Sequence, residues 1–194
     1  PAVRDISFDE MVHAYKLQMT EMLLCDVDAF LIETIFDTLN AKAAIYAAEE
    51  AMNSIGKRIP LMLSATIADT GGRTLSGQTL DAFVTSVKHA DIFSIGLNCS
   101  FGAKQLKPFI KQLAETTPYY ISVHPNAGLP NSFGQYDQTP EEMADEMNEY
   151  LKDGLVNIIG GCCGTTENFI KKLSSLADNY NKQTTPHSPY KQKY

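Results

Sequence analysis

No run of apolar residues in this 194-residue sequence is long enough to cross a membrane. Grouped lysines and arginines are missing too. Sixteen basic residues against 23 acidic ones leave a formal net charge of −7, the wrong sign for a nucleic-acid footprint, which needs clustered cations against phosphate. No signal-peptide pattern opens the chain. Cysteine is scarce: only Cys25, Cys99, Cys162 and Cys163 occur, and the last two are adjacent. That is no disulfide framework, and a chain of this length can bury one sizeable core without staples. In such a chain cysteine points to metal or catalysis. The expectation is a cytoplasmic protein that binds neither nucleic acid nor membrane.

What is present is an alternation of short β-rich runs with helical patterns. Ser7-Phe8-Asp9-Glu10 reads as a capping box, followed by Met11, Tyr15, Met19, Met22 and Leu23 at helical spacing. A strand over 28–32 ends at Glu33. An alanine-rich helix runs over 39–55, with Gly56 as its stop. Residues 59–66 read as a second strand, and Leu80, Phe83, Val84 and Val87 mark a helix face. A third strand over 92–97 leads to Asn98-Cys99. Leu106, Phe109, Ile110 and Leu113 give the next inward face, with Pro108 implying that this helix starts late. A fourth strand over 119–123 is followed by a polar loop to about Asp137. Thr139-Pro140-Glu141-Glu142 then opens a helix with cap, proline and acid in order; Met143, Met147, Tyr150 and Leu151 are its buried face. A fifth strand over 155–159 precedes Gly160-Gly-Cys-Cys-Gly164. A last helix from Thr165 or Thr166 turns Phe169, Ile170, Leu173 and Leu176 inward. Residues 1–178 form the folded domain, and 179–194 read as a polar linker or tail.

Apolar strands alternating with helices imply a parallel sheet, either doubly wound or part of a barrel. Chemistry in a (β/α)8 barrel sits at the C-terminal ends of the strands. Glu33, Cys99 and the Cys162-Cys163 pair all fall at such ends. A complete barrel takes about 250 residues. The chain opens at Pro1 and offers five units, so the expected content is the last five of the eight units of a parallel TIM barrel.

Adjacent cysteines on a regular strand point to opposite faces. Cys162 and Cys163 can meet one metal only if the backbone turns between them, and Gly160, Gly161 and Gly164 supply that freedom. Cys99, at the end of another strand, reaches the same rim in a parallel architecture. Three thiolates suit Zn²⁺ and leave its fourth position open, as a catalytic zinc requires. Cys25, in a helix-to-strand turn, reads instead as a buried structural cysteine. Glu33 reads either as an exposed strand-end carboxylate or, on the same rim, as the partner of a substrate ammonium. His124 reads as a hydrogen-bonded structural residue outside the metal site. The segment Ala68–Gly77 has neither the P-loop nor the dinucleotide pattern and reads as a rim loop. A closed structural zinc module is the competing reading, and it would need a fourth permanent ligand that the cysteine pattern does not supply.

Taken together, Gly96-Leu-Asn-Cys99, His124-Pro-Asn-Ala-Gly-Leu-Pro130 and Gly160-Gly-Cys-Cys-Gly-Thr-Thr166 resemble the homocysteine-binding domain of cobalamin-dependent methionine synthases. The stretches from Glu33 to Ala43 and from Gly72 to Thr79 look like it as well. The cysteine motif alone is shared with betaine- and S-methylmethionine-dependent relatives; the loop from His124 to Asp137 points to the cobalamin-dependent branch. The resemblance implies a zinc-containing barrel that methylates homocysteine to methionine, with zinc on Cys99, Cys162 and Cys163 and the substrate amino group on Glu33. Asn126 falls where the family offers a weak fourth ligand before substrate arrives, and is grouped with Glu33 on the substrate side. The methyl group would come from methylcobalamin on another domain, so folate- and cobalamin-binding domains of a longer protein are the implied partners. No catalytic residue is implied beyond the zinc site. Three thiolates more than neutralise the zinc dication, so an incoming thiolate keeps its electron density and remains a nucleophile.

Overall fold

The structure, a computed structural model, describes residues 5–181. Six helices and five strands alternate among the described residues. Every strand pair with a recorded register is parallel, so the fold is α/β of the expected class. The chain divides into two compact units, the first ending at Phe93 and the second beginning at Ser94.

The first unit opens with α1 (Phe8–Leu24). Its Ser7–Glu10 capping box is formed as expected, with Glu10 N donating to Ser7 Oγ and Ser7 N to Glu10 Oε2. Strand β1 (Phe30–Ile35) pairs with β2 (Leu61–Ala65), and α2 (Thr38–Ile55) lies between them in sequence. Asp37 caps the start of α2, and Gly56 ends it in the left-handed conformation at φ +75°. Ala41, Ala44, Ala47, Ala48 and Ala51 are all buried on α2. These short side chains let the backbone of α2 approach α1 and β1, against which it packs. Helix α3 (Leu80–Val87) buries Leu80, Phe83 and Val87.

The second unit is built from β3 (Ser94–Gly102), α4 (Ala103–Thr116), β4 (Tyr120–Asn126), α5 (Pro140–Lys152), β5 (Ile158–Ile159) and α6 (Glu167–Asn181). Strand β4 pairs with both β3 and β5. Helix α4 begins at Ala103 and passes through Pro108 rather than starting after it. Pro108 is exposed, so the Lys104 carbonyl that loses its helical donor lies where water can reach it. Helix α5 starts where expected, with Thr139 as its cap and proline after it, and Glu142 completes a capping box with Thr139; the helix buries Met143, Met147, Tyr150 and Leu151.

Strand β5 is shorter than expected. Gly154 turns left-handed at φ +65°, and Leu155 N donates back to Tyr150 O, so Leu155 still belongs to the end of α5. Pairing starts only at Asn157, whose side chain accepts from Ile121 N at 2.9 Å. Helix α6 runs on through Asn181, so residues 179–181, expected in the tail, are helical. The rest of that tail lies outside the described residues. No described helix is long and apolar enough to cross a membrane.

Candidate metal centre

Because β3, β4 and β5 run parallel, their C-terminal ends share one edge. Cys99 lies on β3 and the cysteine pair follows β5, with β4 between them. Two strand spacings separate such positions by roughly 9.6 Å. The chain closes that gap from both sides.

On β3 the register with β4 slips between Asn98 and Gly102. Cys99 and Ser100 both sit in the left-handed region there, at φ +62° and +63°. Left-handed backbone in a residue other than glycine is strained by about 1–3 kcal/mol, and here two such residues stand in succession. The bulge takes the Cys99 side chain off the pleat, where a regular strand would have held it perpendicular to the sheet. On the other side, the segment after β5 folds onto the end of β4. Cys162 N donates to Pro125 O at 2.8 Å, Ala127 N donates to Cys163 O at 2.9 Å, and Thr165 N and Oγ1 both return to Cys162 O. Two glycines make the fold possible. Gly164 is left-handed at φ +78°, and a Cβ there would run into the Tyr136 ring. A Cβ on Gly160 would come within 2.5 Å of His124 Cδ2.

The result is three thiols in one place. Their sulfurs all lie within 4.8 Å of one another, and Cys99 Sγ and Cys163 Sγ are 3.5 Å apart. A tetrahedral zinc with Zn–S bonds of about 2.3 Å sets its sulfurs roughly 3.8 Å apart, so the trio fits such an ion with only small side-chain adjustments. Without metal, burial raises the Cys162 thiol first, and the neighbouring Cys99 and Cys163 raise it further, to about 11. The Cys162 thiol therefore stays protonated at neutral pH unless a cation offsets its charge.

Two further residues flank Cys163. Asn126 is buried at the end of β4, and its Oδ1 accepts from Cys163 N at 3.1 Å. The Tyr136 ring lies against Gly164, the residue after Cys163. Burial, and after it the charges of Cys163, Cys99 and Cys162, push the Tyr136 hydroxyl above its ordinary value, so it stays a proton donor at neutral pH.

The structure thus brings Cys99, Cys162 and Cys163 together and sets Asn126 against them, with its oxygen engaged by Cys163. His124 is half-buried beside Gly160 and is not part of the cluster. Glu33 belongs to the first unit. It lies within β1 rather than after it, next to Thr34 at φ +56°, where the register with β2 also slips. It lines a pocket with Tyr15, Thr34, Asp37 and Asn40, and Tyr15 donates to Asn40 Oδ1 at 2.9 Å. Cys25 corrects the expectation made for it. It is exposed, at the C-cap of α1. Tyr136 is the site residue that the sequence reading missed. Nothing in the loop sequence distinguished it from Phe133, the other aromatic there.

Residues 1–177 match the sequence profile of the family described as homocysteine S-methyltransferase. The chain belongs to the homocysteine S-methyltransferase family. Among solved structures it is similar to the homocysteine methyltransferase MmuM from Escherichia coli. The apo form of MmuM superposes with a TM-score of 0.64 at 19% identity, over 88% of this chain and 57% of that one. The oxidised form gives 0.62 at 22% identity, covering 84% and 52%. The metallated form gives 0.61 at 21%, covering 84% and 51%. The chain therefore spans little more than half the length of these relatives. At such identities the likeness is one of fold, and it identifies the alternating strands and helices of this family member as β/α units of the TIM-barrel type.

Proposed function

We propose that this chain is the zinc-binding part of a homocysteine S-methyltransferase, in which homocysteine sulfur takes up a methyl group to give methionine. The observation that carries the reading is the convergence of three cysteine sulfurs within 4.8 Å at one strand edge, in a chain of this family. Cys99, Cys162 and Cys163 would hold the ion. Zinc held there would lower the pKa of an incoming thiol, so that the thiol would meet the methyl donor as a nucleophile at neutral pH. The protein's own part is positional: the β3 bulge and the loop after β5 hold the sulfurs, and Asn126 fixes the Cys163 backbone. In the same reading Glu33 offers its carboxylate to the substrate ammonium. In the transfer the homocysteine S–H proton leaves, a sulfur–carbon bond forms, and the bond from methyl to donor breaks.

The donor we favour is methylcobalamin carried on another domain, with folate- and cobalamin-binding domains as partners in a longer protein. The motif His124–Pro130 and the loop that follows it support that choice over betaine or S-methylmethionine. A cytoplasmic location, where thiols are kept reduced, belongs to the same reading.

The test is made on the complete enzyme, with metal content, homocysteine binding and turnover measured separately. Cys162→Ser and Cys163→Ser should each lose zinc and turnover together. Glu33→Ala should keep zinc and bind homocysteine at least tenfold more weakly. Loss of metal from Glu33→Ala would contradict the division of roles, and turnover without bound zinc would contradict the function.

A further inference from the structure

Helices α1, α2, α3 and α5 each begin with a side-chain cap of their own, from Ser7, Asp37, Thr79 and Thr139. Helix α4 does not. It starts at Ala103 directly after β3, and its N-cap, Gly102, has no side chain to offer. There is little room for one: a Cβ on Gly102 would lie 3.1 Å from Gly128 Cα and 3.0 Å from Gln105 Oε1. The free donors of the first turn need partners from elsewhere. Helix α5 supplies one. Glu146 Oε2 accepts from Lys104 N at 3.2 Å, and Gln138 Nε2 donates to the same oxygen at 3.1 Å. One turn further along α5, the buried Tyr150 donates its hydroxyl proton to Ala103 O. A carboxylate also suits the positive end of a helix dipole.

This borrowed cap sits just behind the metal centre. Only Phe101, Gly102 and Ala103 separate Lys104 from Ser100, the second of the two left-handed residues that turn the Cys99 side chain. Strand and helix join without a loop, so no slack lies between the bulge and the helix. Strained residues persist only where their surroundings over-determine them, and the anchoring of Ala103 and Lys104 by α5 does so on the helix side. We propose that Glu146 is a positioning residue of the metal centre: by capping α4 from the neighbouring helix, it holds the Cys99–Ser100 bulge in the shape that brings Cys99 to Cys162 and Cys163. The inference rests on the three-thiolate reading of the site. Cys99 depends on this support more than the pair does, because the segment of Cys162 and Cys163 is tied to the end of β4 by its own backbone bonds.

The experiment uses the full, reduced chain and compares wild type with Glu146→Ala, Glu146→Gln, Glu146→Asp and Glu149→Ala. Zinc affinity is read by competition with a chromophoric chelator, thiolate-to-metal charge-transfer bands after Co²⁺ substitution, and stability by denaturant titration. Glu146→Ala should bind zinc roughly three- to tenfold more weakly, the worth of one cap passed on to one ligand, with the charge-transfer bands shifted. Glu146→Gln keeps an acceptor oxygen at the same reach and should restore most of the affinity and the bands. Glu146→Asp keeps the charge but withdraws it by one methylene, and should resemble Glu146→Ala; it carries the test if the alanine variant fails to fold. Glu149 is exposed and pairs with Lys152, so Glu149→Ala should match wild type in affinity and bands. A purely structural Glu146 would lower stability and leave affinity and bands unchanged, and that result would overturn the inference while leaving the three-thiolate site standing. Equal losses in Glu146→Gln and Glu146→Ala would overturn it too, because the acceptor oxygen would then not be what matters. A folded wild-type chain without thiolate bands would overturn the site itself, and the inference with it.

Discussion

Cys162 is where the physical chemistry of the site is sharpest. Burial raises its thiol to about 11 from an ordinary 9.0, with the other two cysteines adding to the effect. Below pH 9 the thiol is neutral both in the folded chain and in the unfolded one. Between pH 9 and about 11 the unfolded chain ionises first, which draws the equilibrium toward unfolding. The metal-free wild type should therefore lose stability across that window faster than Cys162→Ser, as followed by thermal melts at successive pH values. Equal slopes would show that the thiol is not perturbed. The same perturbation means that metal must displace protons to bind, so zinc binding should release protons and tighten as pH rises toward 11. Calorimetry in buffers of different ionisation enthalpy would count them.

At the scale of elements, stability and metal binding can be separated. Gly164→Ala places a Cβ at φ +78° and against the Tyr136 ring. The left-handed backbone alone costs about 1–2 kcal/mol, and the displaced ring should cost metal affinity too. Thr139→Ala removes the cap of α5, whose hydroxyl accepts from Glu142 N at 3.2 Å. It should cost about 1 kcal/mol of stability and leave metal affinity unchanged. Denaturant titrations with and without zinc distinguish the two, and a Thr139→Ala chain with impaired metal binding would contradict the separation. Features of this kind were largely legible in the sequence. The Ser7–Glu10 capping box, the Thr139 cap, the Gly56 stop and the buried face of α5 follow from local spacing, because caps and amphipathic periods depend on neighbours within a turn or two. The left-handed bulge at Cys99 and Ser100 was not legible. Neither residue is a glycine, and the strain persists only because the surrounding sheet enforces it. Strand β5 was overread because Leu155-Val156 is apolar, although Leu155 closes α5. At the site, the glycines around Cys162 and Cys163 announced a turn, which made the cysteines readable. The Tyr136 contact joins residues 28 apart in sequence, Tyr136 and Gly164, and no local pattern reports such a pairing. Cys25 was misread because cysteine's general preference for burial does not apply at a helix end that faces outward.

For the molecule as a whole, the chain belongs to the homocysteine S-methyltransferase family over residues 1–177, and within that span three cysteine sulfurs converge to within 4.8 Å of one another. The match to MmuM spans 57% of that chain or less, so turnover is best measured on the complete enzyme, whereas the metal site can be examined on this chain, since all three ligands lie in the second unit. The most direct test is X-ray absorption at the zinc edge of the folded, reduced chain. The account predicts about one zinc per chain, with three sulfur neighbours at about 2.3 Å and a fourth position not filled by protein sulfur. A zinc shell without sulfur, or a folded and reduced chain that takes up no zinc, would contradict it.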